Sequence, residues 1–276
     1  MFSIFSVACT LALAGAPGVE SVCAQAAPPN VKWTRSPGQS RAVLLIHGFH
    51  YHVRSSSVPK AELRGWQKKD SPLVKTLAKD SDVFAFAYGQ NVPLEQIVAT
   101  SSLRRNIAAL RQLGYSEIVL FGHSAGGLIA RHFVEDNPDA GVTRVIQVCA
   151  PNGGSPLAKL TVSKAQKVFL QCLSIEHRRR CLELRSFKRV PDKVEFVCVV
   201  ARSKKTAEGD GVVKCDAQWT ADLRQQGIPA VPVVASHLLI VRDKKLAEQL
   251  APLVCERQPR WSLERVEKAK KQILGK

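Results

Sequence analysis

The sequence predicts an α/β fold, a mostly parallel sheet covered by helices on both faces, and three observations carry that expectation. Apolar runs of strand length alternate along the chain with amphipathic stretches of helical spacing. At one strand-to-helix junction, Ile118-Val119-Leu120-Phe121 runs through Gly122-His123-Ser124-Ala125-Gly126 into Gly127-Leu128-Ile129-Ala130-Arg131. Finally, 276 residues, 45% of them hydrophobic, suffice for one sizeable core, and neither an internal repeat nor a low-complexity tract interrupts them.

In chain order, residues 1–26 read as an export signal outside the fold. Phe2 to Ala16 is apolar but short for a bilayer span, and Ala24-Gln25-Ala26 has the A-x-A form of a cleavage site. Residues 27–276 then form one domain. Strands are expected at 41–46, 82–87, 117–121, 144–149, 194–200 and 229–234, with Leu103 to Leu113 as a representative helix. A long insertion over 152–193 sits where a cap or lid would cover a site, and Arg257 to Lys276 reads as a basic amphipathic helix that could pack on the body or touch an acidic envelope.

The junction at Ser124 has the form of a nucleophile elbow. Small residues two before and two after the serine let strand and helix approach closely, and the strained turn lifts the hydroxyl out of the sheet. The helix N-terminus beneath favours developing negative charge. A serine needs a base, and the base needs an acid to fix its tautomer. Three histidines follow Ser124. His132 lies about two turns along the elbow helix, and His177 opens the charged stretch His177-Arg178-Arg179-Arg180. His237 follows the apolar run Val231-Pro232-Val233-Val234 and is the expected base. For the acid, Gly209-Asp210-Gly211 after the strand at 194–200 favours Asp210, with Asp216 and Glu208 as competitors and an ordinary Asp-Gly turn as the plain alternative.

Backbone donors for an oxyanion are expected from the amides of Phe49 and Ala125, the former in the loop Ile46-His47-Gly48-Phe49. His47 is expected to brace that loop. His50 and His52 do not make a metal site, because residues at i and i+2 point to opposite faces of an extended segment and no cysteine or carboxylate cluster accompanies them. No cofactor and no metal are expected.

These segments, with Ala150-Pro151-Asn152-Gly153-Gly154-Ser155-Pro156, Gly209-Asp210-Gly211-Val212-Val213 and Ser236-His237, resemble the alpha/beta-hydrolase superfamily, and within it bacterial triacylglycerol lipases and related esterases. The resemblance implies an alpha/beta-hydrolase fold, a Ser124–Asp210–His237 triad, an oxyanion hole at Phe49 and Ala125, and hydrolysis of carboxylic esters through an acyl-enzyme. One departure is Ala150-Pro151-Asn152, where similar lipases carry Thr-Pro-His. The competing readings are amide or thioester cleavage by the same triad, and a silent hydrolase fold used for binding.

The formal charge of +17 comes with no nucleic-acid motif and only 6% aromatic residues, so the expected partner is an ester or lipid rather than a nucleic acid. Lys164, Lys167, Arg178, Arg179, Arg180, Arg185, Lys188 and Arg189 cluster in the insertion. They read either as a solvated face or as a basic cap that steers anionic substrates or meets an anionic membrane surface. The location expected is periplasmic or secreted, with membrane association through an uncleaved N-terminal anchor as the alternative, since the segment before the apolar run lacks Lys and Arg; the oligomeric state is left open. Export would leave six cysteines, at 149, 172, 181, 198, 215 and 255. Cys149 and Cys198 read as core residues, whereas a Cys172–Cys181 bridge would close a short loop worth roughly 2 to 3 kcal/mol.

Overall fold

The computed structural model describes residues 21–25, 33–51, 61–159, 164–206 and 208–275. Its sheet has seven strands, β1 (Ser21–Gln25), β2 (Arg41–Ile46), β3 (Asp82–Tyr88), β4 (Glu117–His123), β5 (Arg144–Val148), β6 (Glu195–Arg202) and β7 (Ala230–Val234), in the spatial order β1-β3-β2-β4-β5-β6-β7. β2 to β7 are all parallel to their neighbours. All six strands expected from the apolar runs are present, each within two residues of the expected bounds.

β1 was not expected. It pairs antiparallel with β3, Ser21 opposite Tyr88 and Gln25 opposite Phe84. It lies inside the segment read as an export signal, so the sheet begins before the expected domain boundary at residue 27. Residues 1–20 and 26–32, which carry the rest of that reading, lie outside the described residues. No helix among the described residues is long and apolar enough to cross a membrane.

The helices are α1 (Pro72–Leu77), α2 (Leu94–Ala99), α3 (Ser101–Gln112), α4 (Ala125–Asp136), α5 (Lys164–Gln171), α6 (Ile175–Leu184), α7 (Cys215–Gln218), α8 (Ala221–Gln225), α9 (Lys244–Leu250), α10 (Pro252–Cys255) and α11 (Leu263–Leu274). The period of two in the strands sorts them into two layers. In β2, Ala42, Leu44 and Ile46 face Leu103, Ile107 and Leu110 of α3 and Leu128 and Ile129 of α4, while Val43 and Leu45 face Leu73 and Leu77 of α1 and Leu250 of α9. Both sheet faces are therefore dry, which explains why the strands read as unbroken apolar runs. The basic tail helix α11 packs on the body through Val266, Ala269 and Ile273, with Ser262 capping its first turn.

The topology places the site. β3 lies on one side of β2 and β4 on the other, so the chain reverses its winding direction between β2 and β4. The loops leaving the carboxyl ends of those two strands diverge there and open a crevice.

Candidate functional site

Ser124 stands between β4 and α4 with φ of 55° and ψ of −126°. Only Ser124 and Cys149 among the described non-glycine residues have positive φ. Such a conformation persists only where the surroundings enforce it, and here the flanking glycines show how. A Cβ on Gly122 would lie 2.5 Å from the Gly126 carbonyl oxygen, and one on Gly126 would lie 2.2 Å from that of Ile46. The elbow is thus wedged against the end of β2, as its small residues imply.

The loop after β2 is fixed as tightly. His47 stacks on Tyr88, with ring centroids 4.3 Å apart, and its Nδ1 lies 2.8 Å from the Gly48 carbonyl. Tyr88 donates its hydroxyl to the His47 carbonyl at 2.7 Å, and Gln90 donates Nε2 to the Gly48 carbonyl at 2.8 Å while accepting from the His50 amide. Burial, opposed by the Gly48 carbonyl, lowers His47 to about 3. The ring is therefore neutral, and Nδ1 carries the proton that the carbonyl accepts. His47 braces the loop, as expected; Gln90 had no sequence signal.

Gly48 lies directly against the serine, since a Cβ there would stand 2.5 Å from Ser124 Cβ. Gly48→Ala should push Ser124 aside and cut turnover of a reactive ester by on the order of 10², with an unchanged far-ultraviolet circular dichroism spectrum. Turnover within a factor of about two of the parent would show that this contact positions nothing.

Asp210 and His237 meet at the carboxyl ends of β6 and β7. His237 Nδ1 donates to Asp210 Oδ2 at 2.6 Å, and the amides of Val212 and Val213 donate to Oδ1 at 2.8 and 2.7 Å. Burial alone would raise the Asp210 carboxyl, but the hydrogen bond and charge of His237 and the two amides outweigh it and hold the pKa below the ordinary value. The competitors are elsewhere: Glu208 is exposed and paired with Lys214, and Asp216 is exposed in the first turn of α7. Cys149 adds a fourth partner, its thiol hydrogen-bonded to Asp210, and both that bond and burial keep it protonated. We read Cys149 from sequence as plain core. It is fully buried in the core, as read, and its positive φ and contact with the carboxylate make it a support of this loop as well.

His123, the residue before Ser124, also supports the cluster. Its Nε2 lies 2.8 Å from the His237 carbonyl. Burial first, then the neighbouring His237, lower it to about 3, so Nε2–H of a neutral ring donates this bond. Unfolded, His47 and His123 would titrate near the ordinary 6.5. The unfolded chain therefore binds more protons between about 6.5 and 3, and the stability these rings contribute is complete above 6.5 and lost as pH falls toward 3. Urea midpoints should already decline between about pH 6.5 and 5, before most carboxylates protonate. A midpoint flat over that window would contradict the neutral assignment.

Ser124 and His237 line one cleft of about 480 Å³, together with Phe49, Leu157, Leu170, Leu173, Val213 and Leu238. No hydrogen bond joins Ser124 Oγ to His237 among the described residues. Phe49, whose amide was expected as an oxyanion donor, lies at this cleft, and Ala125 opens α4 directly after Ser124. Asn152, the departure from the lipase pattern, is buried away from the cleft lining. It donates to Gln147 Oε1 and the Gln218 carbonyl and accepts from Arg131.

The expected basic cap is corrected in part. Arg178 is buried, donating to the Asn152 carbonyl and to His132 Nε2, which burial and Arg178 keep neutral. Arg179 and Arg180 pair with Glu183 and Glu176 on their own helix, and Arg185 and Lys188 pair with Asp136. None of these lines the cleft, where the described residues supply one Lys or Arg side chain, Arg242. The Cys172–Cys181 bridge is not formed, and all six cysteines beyond residue 26 are free. His52 lies outside the described residues.

No family model and no curated protein sequence matches the chain. Solved structures do. The mature lipase BlEst2 of Bacillus licheniformis is 13% identical, with a TM-score of 0.62 over 84% of this chain and 98% of that one. A metagenomic carboxyl esterase is 17% identical, with a TM-score of 0.54 over 87% of this chain and 79% of that one. Phospholipase PlaB of Legionella pneumophila is 14% identical, with a TM-score of 0.57 over 85% of this chain and 64% of that one. At such identities the likeness is one of fold, and it agrees with the strand order and the elbow: the chain has the alpha/beta-hydrolase fold.

Proposed function

We propose that this chain is a serine hydrolase cleaving carboxylic esters of lipid type through an acyl-enzyme. The observation that carries the reading is the 2.6 Å bond from Asp210 to His237 Nδ1, in a cleft shared with the positive-φ Ser124. With Nδ1–H given to Asp210, Nε2 of the neutral imidazole is left to take the Ser124 proton. The alkoxide attacks the ester carbonyl, and the amides of Phe49 and Ala125 hold the resulting oxyanion. The tetrahedral adduct collapses as the imidazolium protonates the departing alcohol. Water, deprotonated by His237, then attacks the acyl-serine and frees the acid. The mostly apolar cleft, with Tyr51, Leu157 and Leu238 exposed at it, suits an acyl chain.

Labelling with a fluorophosphonate tests the reading: adduct formation at Ser124 is expected, and a chain left unlabelled while active on esters would point to another nucleophile. A panel of acyl lengths with neutral and anionic headgroups, read at low and high salt, then gives the substrate class. A preference for anionic headgroups that fades with salt would implicate Arg242; amide or thioester turnover above ester turnover would favour the competing hydrolase reading.

The same reading has the chain exported, on the strength of Phe2 to Ala16 and Ala24-Gln25-Ala26. Cleavage after Ala26 would remove β1 and leave β3 as the sheet edge. The expected mature N-terminus is Ala27, read by mass spectrometry of the processed protein. A mature chain retaining residues 21–25 would argue that β1 is part of the working enzyme.

A further inference from the structure

A second cluster of reactive side chains joins the cap to the body, outside the cleft. Glu95, in the first turn of α2, reaches the cap helices. Its Oε1 lies 3.1 Å from His177 Nε2 and 3.5 Å from Cys181 Sγ, and its Oε2 lies 3.5 Å from Cys172 Sγ. His177 and Cys181 are four apart on α6 and so share a face. Cys172 directly follows α5.

We propose that Cys181, His177 and Glu95, whose ligand atoms lie within 4.8 Å of one another, are the three protein ligands of a zinc-class divalent metal site that ties the cap to α2, with the fourth position taken by water. The donor set, one sulfur, one imidazole nitrogen and one carboxylate oxygen, is one that a borderline-soft tetrahedral ion takes. The spacing agrees. With the usual zinc bond lengths, a tetrahedron has N···O edges of about 3.3 Å and S···O edges of about 3.5 Å, against 3.1 and 3.5 Å from Glu95 Oε1 here. Cys172 meets the other carboxylate oxygen, Oε2. Thiols are weak donors, so two of them turned to one half-exposed carboxylate gain little as hydrogen bonds alone.

Charge supports the same assignment. A divalent ion would displace the Cys181 thiol proton to solvent, with no change of oxidation state, and the resulting thiolate and the Glu95 carboxylate would balance its two charges. His177 and Glu95 are each more than a third exposed, which gives the ion a way in.

The test uses the full chain purified with zinc present. Elemental analysis after dialysis should find one zinc per chain. Replacement by Co²⁺ should give thiolate-to-cobalt charge transfer and the visible bands of a tetrahedral ion. Cys181→Ser should lose the thiolate-to-cobalt charge transfer, while Cys255→Ser, an exposed cysteine away from the cluster, should keep it. Chelation should lower the Tm of the parent by roughly 5 °C or more, and added zinc should restore it. Because metal content and Tm are read on the parent, a poorly folding serine variant would not obscure the result. Less than stoichiometric metal, a Tm indifferent to chelator, or a Cys172–Cys181 disulfide found by peptide mapping would each overturn the proposal.

Discussion

Ser124→Ala is expected to abolish ester hydrolysis, lowering turnover by on the order of 10⁴ to 10⁶, while the protein keeps its fold. The two halves of that expectation come from different features. The loss of activity follows because the hydroxyl is the group that would carry the acyl chain, and among the described residues the other serine or threonine sharing the cleft with His237 is Ser155, whose hydroxyl donates to the Val212 carbonyl at 2.7 Å. Retention of the fold follows because Ser124 Oγ has no hydrogen-bond partner among the described residues, and the elbow is held by its backbone: the Ser124 amide donates to the Val148 carbonyl at 2.8 Å and the Gly127 amide to the Ser124 carbonyl at 2.9 Å. An alanine at φ of 55° bears the same strain as the serine. The measurement pairs steady-state turnover of a short-chain ester with a thermal melt. Activity within tenfold of the parent would remove Ser124 from the mechanism, whereas a lost thermal transition would mean that the serine side chain holds the elbow.

The sheet was legible because β2 to β6 are covered on both faces, so each strand is a nearly continuous apolar run bounded by polar residues. β1 was hidden by a conflict of signals. Ser21-Val22-Cys23-Ala24-Gln25 follows an apolar leader and overlaps an A-x-A pattern, and its pairing with β3 is a long-range contact that no local period encodes. The residues of the cleft were legible where chemistry demands a residue type at a strand end: Ser124, Asp210 and His237 could be narrowed by order and flanking glycines. Their supports were not. Gln90 and Cys149 act through tertiary contacts to the Gly48 carbonyl and the Asp210 carboxylate, and neither stands in a motif.

The cap shows the opposite failure, in which a sequence cluster dissolved in three dimensions. Arg178, Arg179 and Arg180 are adjacent in sequence, but successive residues on a helix are about 100° apart. One therefore points into the body and the other two into solvent, where each finds an acid one turn away. Conversely, Glu95 stands far in sequence from the i, i+4 pair His177 and Cys181, and only the docking of the cap on α2 brings the three together.

Asp210→Asn is expected to lower turnover by on the order of 10³ to 10⁴, and Asp216→Asn to leave it within a few-fold. The reason is a matter of donors and acceptors. Asp210 Oδ1 accepts from the Val212 and Val213 amides, so an asparagine must keep its carbonyl oxygen there and place its NH₂ where Oδ2 now meets His237 Nδ1. Two donors would then face each other. The imidazole relieves this by carrying its proton on Nε2, which leaves no lone pair to accept the Ser124 proton. Asp210→Asn should therefore retain an intact serine, and its activity should recover partly as rising pH supplies hydroxide in place of the missing base. Asp216 is exposed in the first turn of α7, whereas the carboxylate bonded to His237 Nδ1 is that of Asp210. Measuring kcat for both variants against the same ester separates the candidates: if the Asp216 variant is the crippled one, Asp210 is not the residue that orients His237.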